Sequence, residues 1–199
     1  MKPSAWILAA ALALPAAADA INIGAPAPAF EARDAAGKPV ALAAFKGKTV
    51  VLEWTNNGCP FVGHMYSSGV MQRLQRQAAA DGVLWLTLIS SAPGKQGYLT
   101  GPEVPAWKAK VGAASADVLL DPSGDIGHAY DARTTPDMYV IDGQGRLVYA
   151  GAIDDNPSTN PADAKSARNY VAAALADLKA GRPISPAITK PYGCSVKYR

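Results

Sequence analysis

The sequence predicts a single α/β domain with a mixed central sheet, and three observations carry that prediction. An apolar strand at residues 49–55 (TVVLEWT) runs into a helical pattern and then into a second apolar strand at 83–90 (VLWLTLIS). That is the order of a parallel β–α–β unit. Late in the chain, residues 138–141 and 147–150 flank Asp142-Gly143-Gln144-Gly145 and read as a β-hairpin, which adds antiparallel strands. The composition is that of one globular core: 199 residues, 49% apolar and 18% charged. Disorder needs lower hydrophobicity and more charge than this. The net charge is +3 and no basic run exceeds a pair, which excludes an extended nucleic-acid footprint.

Residues 1–20 read as a secretory signal rather than as part of the fold. A short positive start, Met1-Lys2, precedes an apolar stretch at 5–18, and Ala18-Asp19-Ala20 supplies the small-x-small cleavage pattern. The stretch is shorter than the roughly 20 residues a membrane-spanning helix needs, and no Cys follows the cleavage site to take a lipid. The expected address is the periplasm, with no stable membrane anchor. In an oxidising compartment the two cysteines, Cys59 and Cys194, are free to form a disulfide.

Along the mature chain, INIGAPAPA at 21–29 is an extended lead-in. A turn around Gly37 suggests a small N-terminal hairpin between 30–33 and 40–42. After the strand at 49–55, Asn56-Asn57-Gly58 forms a loop. The helical pattern then spans 60–80, with Phe61, Met65, Met71, Leu74 and Ala78 on one face and Gly69 weakening its middle. Residues 91–105 read as loop, 106–111 as a short helix, 118–120 as a strand and 126–130 as a helical turn. A last helix is expected over 164–180, with Gly181 as its stop. The segment 183–199 is an irregular, Pro-broken tail carrying Cys194, beyond a domain at 21–182.

Cys59 is the candidate nucleophile. It follows a strand and a loop and opens a helix, with Pro60 at the first helical position. Unpaired N–H groups and the positive end of the helix dipole favour thiolate there. The bland alternative is an inert buried thiol or half of a static disulfide.

The segment Trp54-Thr55-Asn56-Asn57-Gly58-Cys59-Pro60-Phe61-Val62 resembles the active-site segment of thioredoxin-fold redoxins, in particular the peroxiredoxin-like branch of the alkyl hydroperoxide reductase/thiol-specific antioxidant (AhpC/TSA) family. Gly24-Ala25-Pro26 with Phe30 resembles the family's entry segment, and Phe45-Lys46-Gly47-Lys48 its lead into the central strand. Thr134-Thr135-Pro136 ahead of Met138-Tyr139-Val140-Ile141-Asp142 is similar to its cis-proline strand, and Gly193-Cys194-Ser195-Val196-Lys197-Tyr198 to the branch's C-terminal signature. The resemblance implies a thioredoxin-like fold and a thiol-based oxidoreductase with antioxidant character, which the signal at 1–20 would export. Its substrate would be a peroxide or a disulfide, its recycling agent a thiol reductant, and it would need no cofactor. Two departures bear on the chemistry. Asn56 and Val62 stand where a second Cys of a local dithiol would be, and no Pro-x-x-x-Thr-x-x-Cys loop surrounds Cys59.

Cys194 is then the candidate resolving thiol, free to swing in on the tail. The resemblance implies that Pro136 is cis and, with Thr135, faces the Cys59 loop; Thr55 and Pro60 complete the candidate substrate contacts. Glu53, with Val51 and Thr55 on its side of the strand, is either a buried acid exchanging protons with the thiol or a solvent-facing charge. Arg133 is a candidate for stabilising thiolate or peroxide, against the alternative of a surface charge. His64 lies five residues into the helix, about 140° round from Cys59. The alternative function is a non-catalytic binding module on the same fold, with a static Cys59–Cys194 disulfide and a partner or metal ion at the Pro136 face.

Overall fold

The computed structural model describes residues 21–199; the expected export signal at 1–20 lies outside the described residues. Among the described residues, nine strands and five α-helices follow one another. The first part holds β1 (Glu31–Asp34), β2 (Pro39–Ala41), β3 (Val50–Trp54), α1 (Pro60–Ser67), α2 (Val70–Ala80) and β4 (Leu84–Ile89). Then come α3 (Val104–Val111), β5 (Asp117–Leu120), α4 (Asp125–Ala129), β6 (Thr134–Thr135), β7 (Asp137–Ile141), β8 (Leu147–Gly151), α5 (Tyr170–Lys179) and β9 (Cys194–Ser195).

Seven strands form one twisted sheet in the order β2-β1-β5-β4-β3-β7-β8. β3, β4 and β5 are parallel, while β7 and β8 add an antiparallel hairpin on one side. β3 therefore lies inside the sheet, and all five of its residues are buried. This explains why apolar residues stand on both its faces, with Glu53 the exception, since a strand covered on both faces has no solvent side to alternate with. α1, α2, α3 and α5 cover the face presented by Val51, Trp85, Val118, Met138 and Val140. The opposite face, with Leu52, Leu86, Leu119 and Tyr139, is covered by the N-terminal segment around Phe30, by α4 through Ile126, and by Val196 of the tail.

Four details differ from the sequence reading. The helix expected over 60–80 is two helices, because Gly69 takes a left-handed conformation (φ +75) and caps α2. A residue without Cβ accepts that backbone at no steric cost, so the glycine ends one helix and starts another. The last helix begins at Tyr170, not near 164, because the Asn169 side chain accepts the Ala172 N–H at 2.8 Å and caps it there. The N-terminal hairpin is no appendage: β1 pairs antiparallel with β5 and extends the main sheet. The tail is not loose either. Thr189 and Ala187 bond the backbone of Ala150, β9 pairs with β6, and Lys197 O accepts from Ala92 N.

Candidate active site

The site is built where β3 ends. Asn56 is buried and organises the loop: its Oδ1 accepts the Gly58 N–H at 2.8 Å, and its backbone oxygen accepts the Cys59 N–H at 3.0 Å. Gln96, from the long loop after β4, reaches across to donate to Gly58 O at 3.0 Å, while Asn56 Nδ2 donates to Gln96 O. The loop is thus pinned from outside as well as from within. Cys59 caps α1, Pro60 occupies the first helical position, and the Gly63 N–H returns to Cys59 O.

Cys59 is 2% exposed, and its Sγ donates to Thr135 O at 3.1 Å. The Thr135–Pro136 peptide is cis. Thr135 pairs with Cys194 across β6 and β9, and Thr135 Oγ1 donates to Cys194 O. This pairing sets the second cysteine beside the first, and both are free thiols. Their environments push them apart. Burial raises Cys59, but hydrogen bonds from Thr135, the Val62 N–H and the Cys194 thiol and backbone overcome it, holding Cys59 below the usual thiol value. Burial, the hydrogen bond to Cys59 and the proximity of its charge push Cys194 up to about 11. Cys59 is therefore the more readily ionised of the two, and once it gives up the proton it shares with Thr135 O, the Cys194 thiol is placed to donate to it.

The remaining candidates divide. Glu53 is fully buried, on the face that packs against α1 and α2. Four donors surround its carboxyl: Trp85 Nε1 at 2.8 Å, Gln75 Nε2 at 3.0 Å, Tyr66 OH at 3.1 Å and Thr87 Oγ1 at 3.3 Å. Burial raises its pKa against the opposing pull of these bonds. All its bonds run to the helix and sheet core rather than to Cys59. Thr55 Oγ1 is buried without a hydrogen-bond partner among the described residues, and Pro60 is exposed at the helix entrance. Arg133 is a correction. Its guanidinium is 73% exposed and turned to the Asp131 carboxylate at 2.7 Å, so it does not stabilise the thiolate. Only its backbone N–H is used inward, donating to Asp137 Oδ2 at 3.1 Å. His64 is buried toward Asp154, and His128 stacks on Tyr198 with ring centroids 4.0 Å apart.

The sequence reading missed Asn56, Gln96, Tyr192 and Asp154. Tyr192 packs edge-on against Phe61 at 5.8 Å, and its hydroxyl donates to Asp154 Oδ1 at 2.5 Å. For Asn56 a local signal existed, since Asn two residues before Gly is a turn-forming pair. The others depend on contacts far along the chain.

The AhpC/TSA family model matches residues 23–150. The chain belongs to the AhpC/TSA family. As a member it is a thiol-dependent oxidoreductase of redoxin type; the match includes Cys59 and ends before the tail. Similar solved structures include an uncharacterized conserved protein from Geobacillus kaustophilus, 27% identical over 90% of this chain and 93% of its own, with a TM-score of 0.77. A hypothetical protein from Sinorhizobium meliloti 1021 is 24% identical over 91% of this chain and 97% of its own, with a TM-score of 0.75. The thioredoxin domain of a thiol-disulfide oxidoreductase from Bacteroides vulgatus is 18% identical over 74% and 98%, with a TM-score of 0.51, a likeness of fold. No curated protein matches the chain.

Proposed function

We propose that this AhpC/TSA member is an exported two-cysteine peroxidase, with Cys59 as the peroxidatic thiolate and Cys194 as the resolving thiol. The supporting observation is the polarity of the pair: Cys59 held below the usual thiol value, Cys194 pushed up to about 11 beside it. A static bridge gives no reason for that asymmetry, whereas a lowered pKa serves a nucleophile, and the part of the Cys194 shift that comes from the Cys59 charge is relieved once Cys59 becomes a sulfenic acid. In the first step the Cys59 thiolate attacks a peroxide oxygen and the O–O bond breaks. Cys59 becomes a sulfenic acid, and the leaving oxygen departs as water or an alcohol after taking a proton. In the second step the Cys194 sulfur attacks the sulfenic sulfur, its own proton leaves with the hydroxide as water, and a Cys59–Cys194 disulfide remains. A dithiol or two monothiols then return two electrons and two protons.

Burial favours a small oxidant, because only 2% of Cys59 is exposed while Cys194 is partly accessible to a reductant. Thiol–disulfide exchange is the second reading; it is favoured by the shared fold of the Bacteroides vulgatus thiol-disulfide oxidoreductase domain. Export rests on the expected signal at 1–20, and among the described residues no helix is long and apolar enough to cross a membrane. The test is to give reduced protein one equivalent of hydrogen peroxide, quench by alkylation at intervals and map the thiols by mass spectrometry. Loss of the Cys59 thiol followed by a Cys59–Cys194 bridge is expected. A Cys59 that ignores peroxide but exchanges rapidly with a disulfide transfers the proposal to the second reading.

A further inference from the structure

Residues 190–193 cross the site between two anchored stretches of the tail. Before them Thr189 bonds the backbone of Ala150, and after them β9 pairs with β6. Among the described residues, the Tyr192–Asp154 hydrogen bond is the only one that ties residues 190–193 to the body. Its anchor is firm. Asp154 is 2% exposed, bridges Asn169 at the start of α5, and also accepts from Asn156 N. Its neighbour Ile153 accepts from Tyr170 N. The Tyr192 ring lies on Phe61, two residues past Cys59, and Gly193 rests on the Thr135 carbonyl that Cys59 bonds.

We propose that the Tyr192–Asp154 hydrogen bond is a latch that fixes which oxidants reach Cys59: with the tail latched the site admits small hydroperoxides and screens the thiolate from bulky disulfides. The inference rests on Cys59 being the reacting thiol. Hydrogen peroxide is hardly larger than water and needs no displacement of the tail. A disulfide attacked by Cys59 must align its S–S bond with the incoming sulfur, which requires room on the side where Tyr192, Gly193 and Cys194 lie. Tyr192 and Asp154 act through the tail's position and are specificity-determining rather than catalytic.

The test uses a Cys194→Ser background, in which Cys59 is the only thiol. Two probes are compared on it: hydrogen peroxide and the aromatic disulfide 5,5′-dithiobis(2-nitrobenzoate). Tyr192→Phe keeps the ring on Phe61 and removes the donor; Asp154→Ala removes the acceptor; Asp154→Asn removes the charge but keeps an accepting oxygen. The disulfide rate constant is expected to rise about tenfold in Tyr192→Phe and Asp154→Ala, the factor carried by loss of a hydrogen bond to a charged acceptor. It should rise only a few-fold in Asp154→Asn, which keeps a weaker, neutral hydrogen bond, and the peroxide rate constant should change little in all three. Equal disulfide rates in parent and variants overturn the latch, as do peroxide rates that rise in the same proportion, which signal general loosening. Disulfide rates that rise in Asp154→Asn as in Asp154→Ala overturn it too, since charge alone then explains them. If Asp154→Ala does not fold, Tyr192→Phe, which loses a single oxygen, carries the test. A parent inert to peroxide but showing the disulfide pattern sinks the peroxidase reading and the admission of hydroperoxides with it, and leaves the latch standing as a screen against disulfides. A parent oxidised by peroxide with a flat disulfide pattern does the reverse.

Discussion

Replacing Gly193 by Ala should separate the two cysteines without touching either. Gly193 has φ +127, a conformation that side chains rarely adopt, and a Cβ there would drive into the Thr135 carbonyl oxygen. Even the carbonyl carbon would lie only 2.8 Å away, roughly 0.7 Å inside ordinary carbon–carbon contact. The obstacle is backbone, so no side chain can rotate out of the way. Holding Ala in such a conformation costs about 1–3 kcal/mol before the overlap is counted. Against that, β9 offers a two-residue ladder whose hydrogen bonds each contribute about 0.5–1.5 kcal/mol net. The cheaper outcome is for β9 to lift from β6, taking Cys194 off Cys59. If docking the tail then costs about 2 kcal/mol, closure of the Cys59–Cys194 disulfide slows about 30-fold. The assay is single-turnover oxidation by peroxide, with sulfenic acid trapped by a dione and the disulfide followed by mass spectrometry. Sulfenic acid should accumulate in the variant and not in the parent, while the melting temperature falls only slightly because the seven-stranded sheet is untouched. Wild-type closure in Gly193→Ala would refute the claim that this close approach delivers the resolving thiol.

Three further perturbations follow from the same geometry. Asp137 is 1% exposed, and burial pushes its carboxyl up to about 7. The folded protein therefore keeps a proton that the unfolded chain releases near 3.9, and stability falls as pH rises from about 4 through 7. Asp137→Asn should remove up to about 4 kcal/mol of that fall in urea unfolding across this range; parallel curves for parent and variant count against it. Cys194→Ser removes a hydrogen bond that lowers Cys59, so the pH profile of Cys59 alkylation should move up, while Cys59→Ser should bring Cys194 down from about 11. Shifts in the same direction contradict the thiolate–thiol pairing. Glu53→Ala leaves the four donors Trp85, Gln75, Tyr66 and Thr87 without their acceptor, at about 1–3 kcal/mol for each one that stays unsatisfied. Glu53→Gln keeps an acceptor and should melt several degrees higher; equal melting of the two variants opposes the role given to these bonds.

The parts of the fold that were legible are those whose cause is local. The strand–loop–Cys–Pro–helix order at β3 and α1, the β7–β8 hairpin and the partners within the N-terminal hairpin all follow from patterns spanning a few residues. Errors arose where periodicity counted residues that a backbone conformation excludes. The apolar period runs through Gly69, which weakens the middle of the pattern without ending it, yet its left-handed φ breaks the helix in two. Ala164 and Ala167 extend the stripe of the last helix, yet the Asn169 cap starts it after them. The pairing of β1 with β5 joins Arg33 to Leu120, and no local pattern carries a contact of that span.

At the site the same distinction separates Glu53 from Arg133. Glu53 interrupts an apolar run on a covered strand, and burial there forces the chain to supply donors. The sequence carried both, in the run itself and in Trp85 and Thr87 at neighbouring positions of the adjoining strand. Arg133 had only its nearness to Pro136 to recommend it. Asp131, two residues before, offers the guanidinium a partner at the surface without the cost of desolvating a charge. Cys194 shows what motif and spacing leave out. Its place on a Pro-broken tail beyond the last helix suggested a segment that swings, but with both thiols free the tail is docked through Ala150, Asp154, Thr135 and Ala92. A docked resolver need not search for the sulfenic acid. It must instead stay protonated until one forms, because a second thiolate beside Cys59 would raise the energy of the first. One of the hydrogen bonds that lower Cys59, the one from the Cys194 thiol, also adds to the burial that raises Cys194, so the contact that favours the nucleophile helps to keep the resolver protonated.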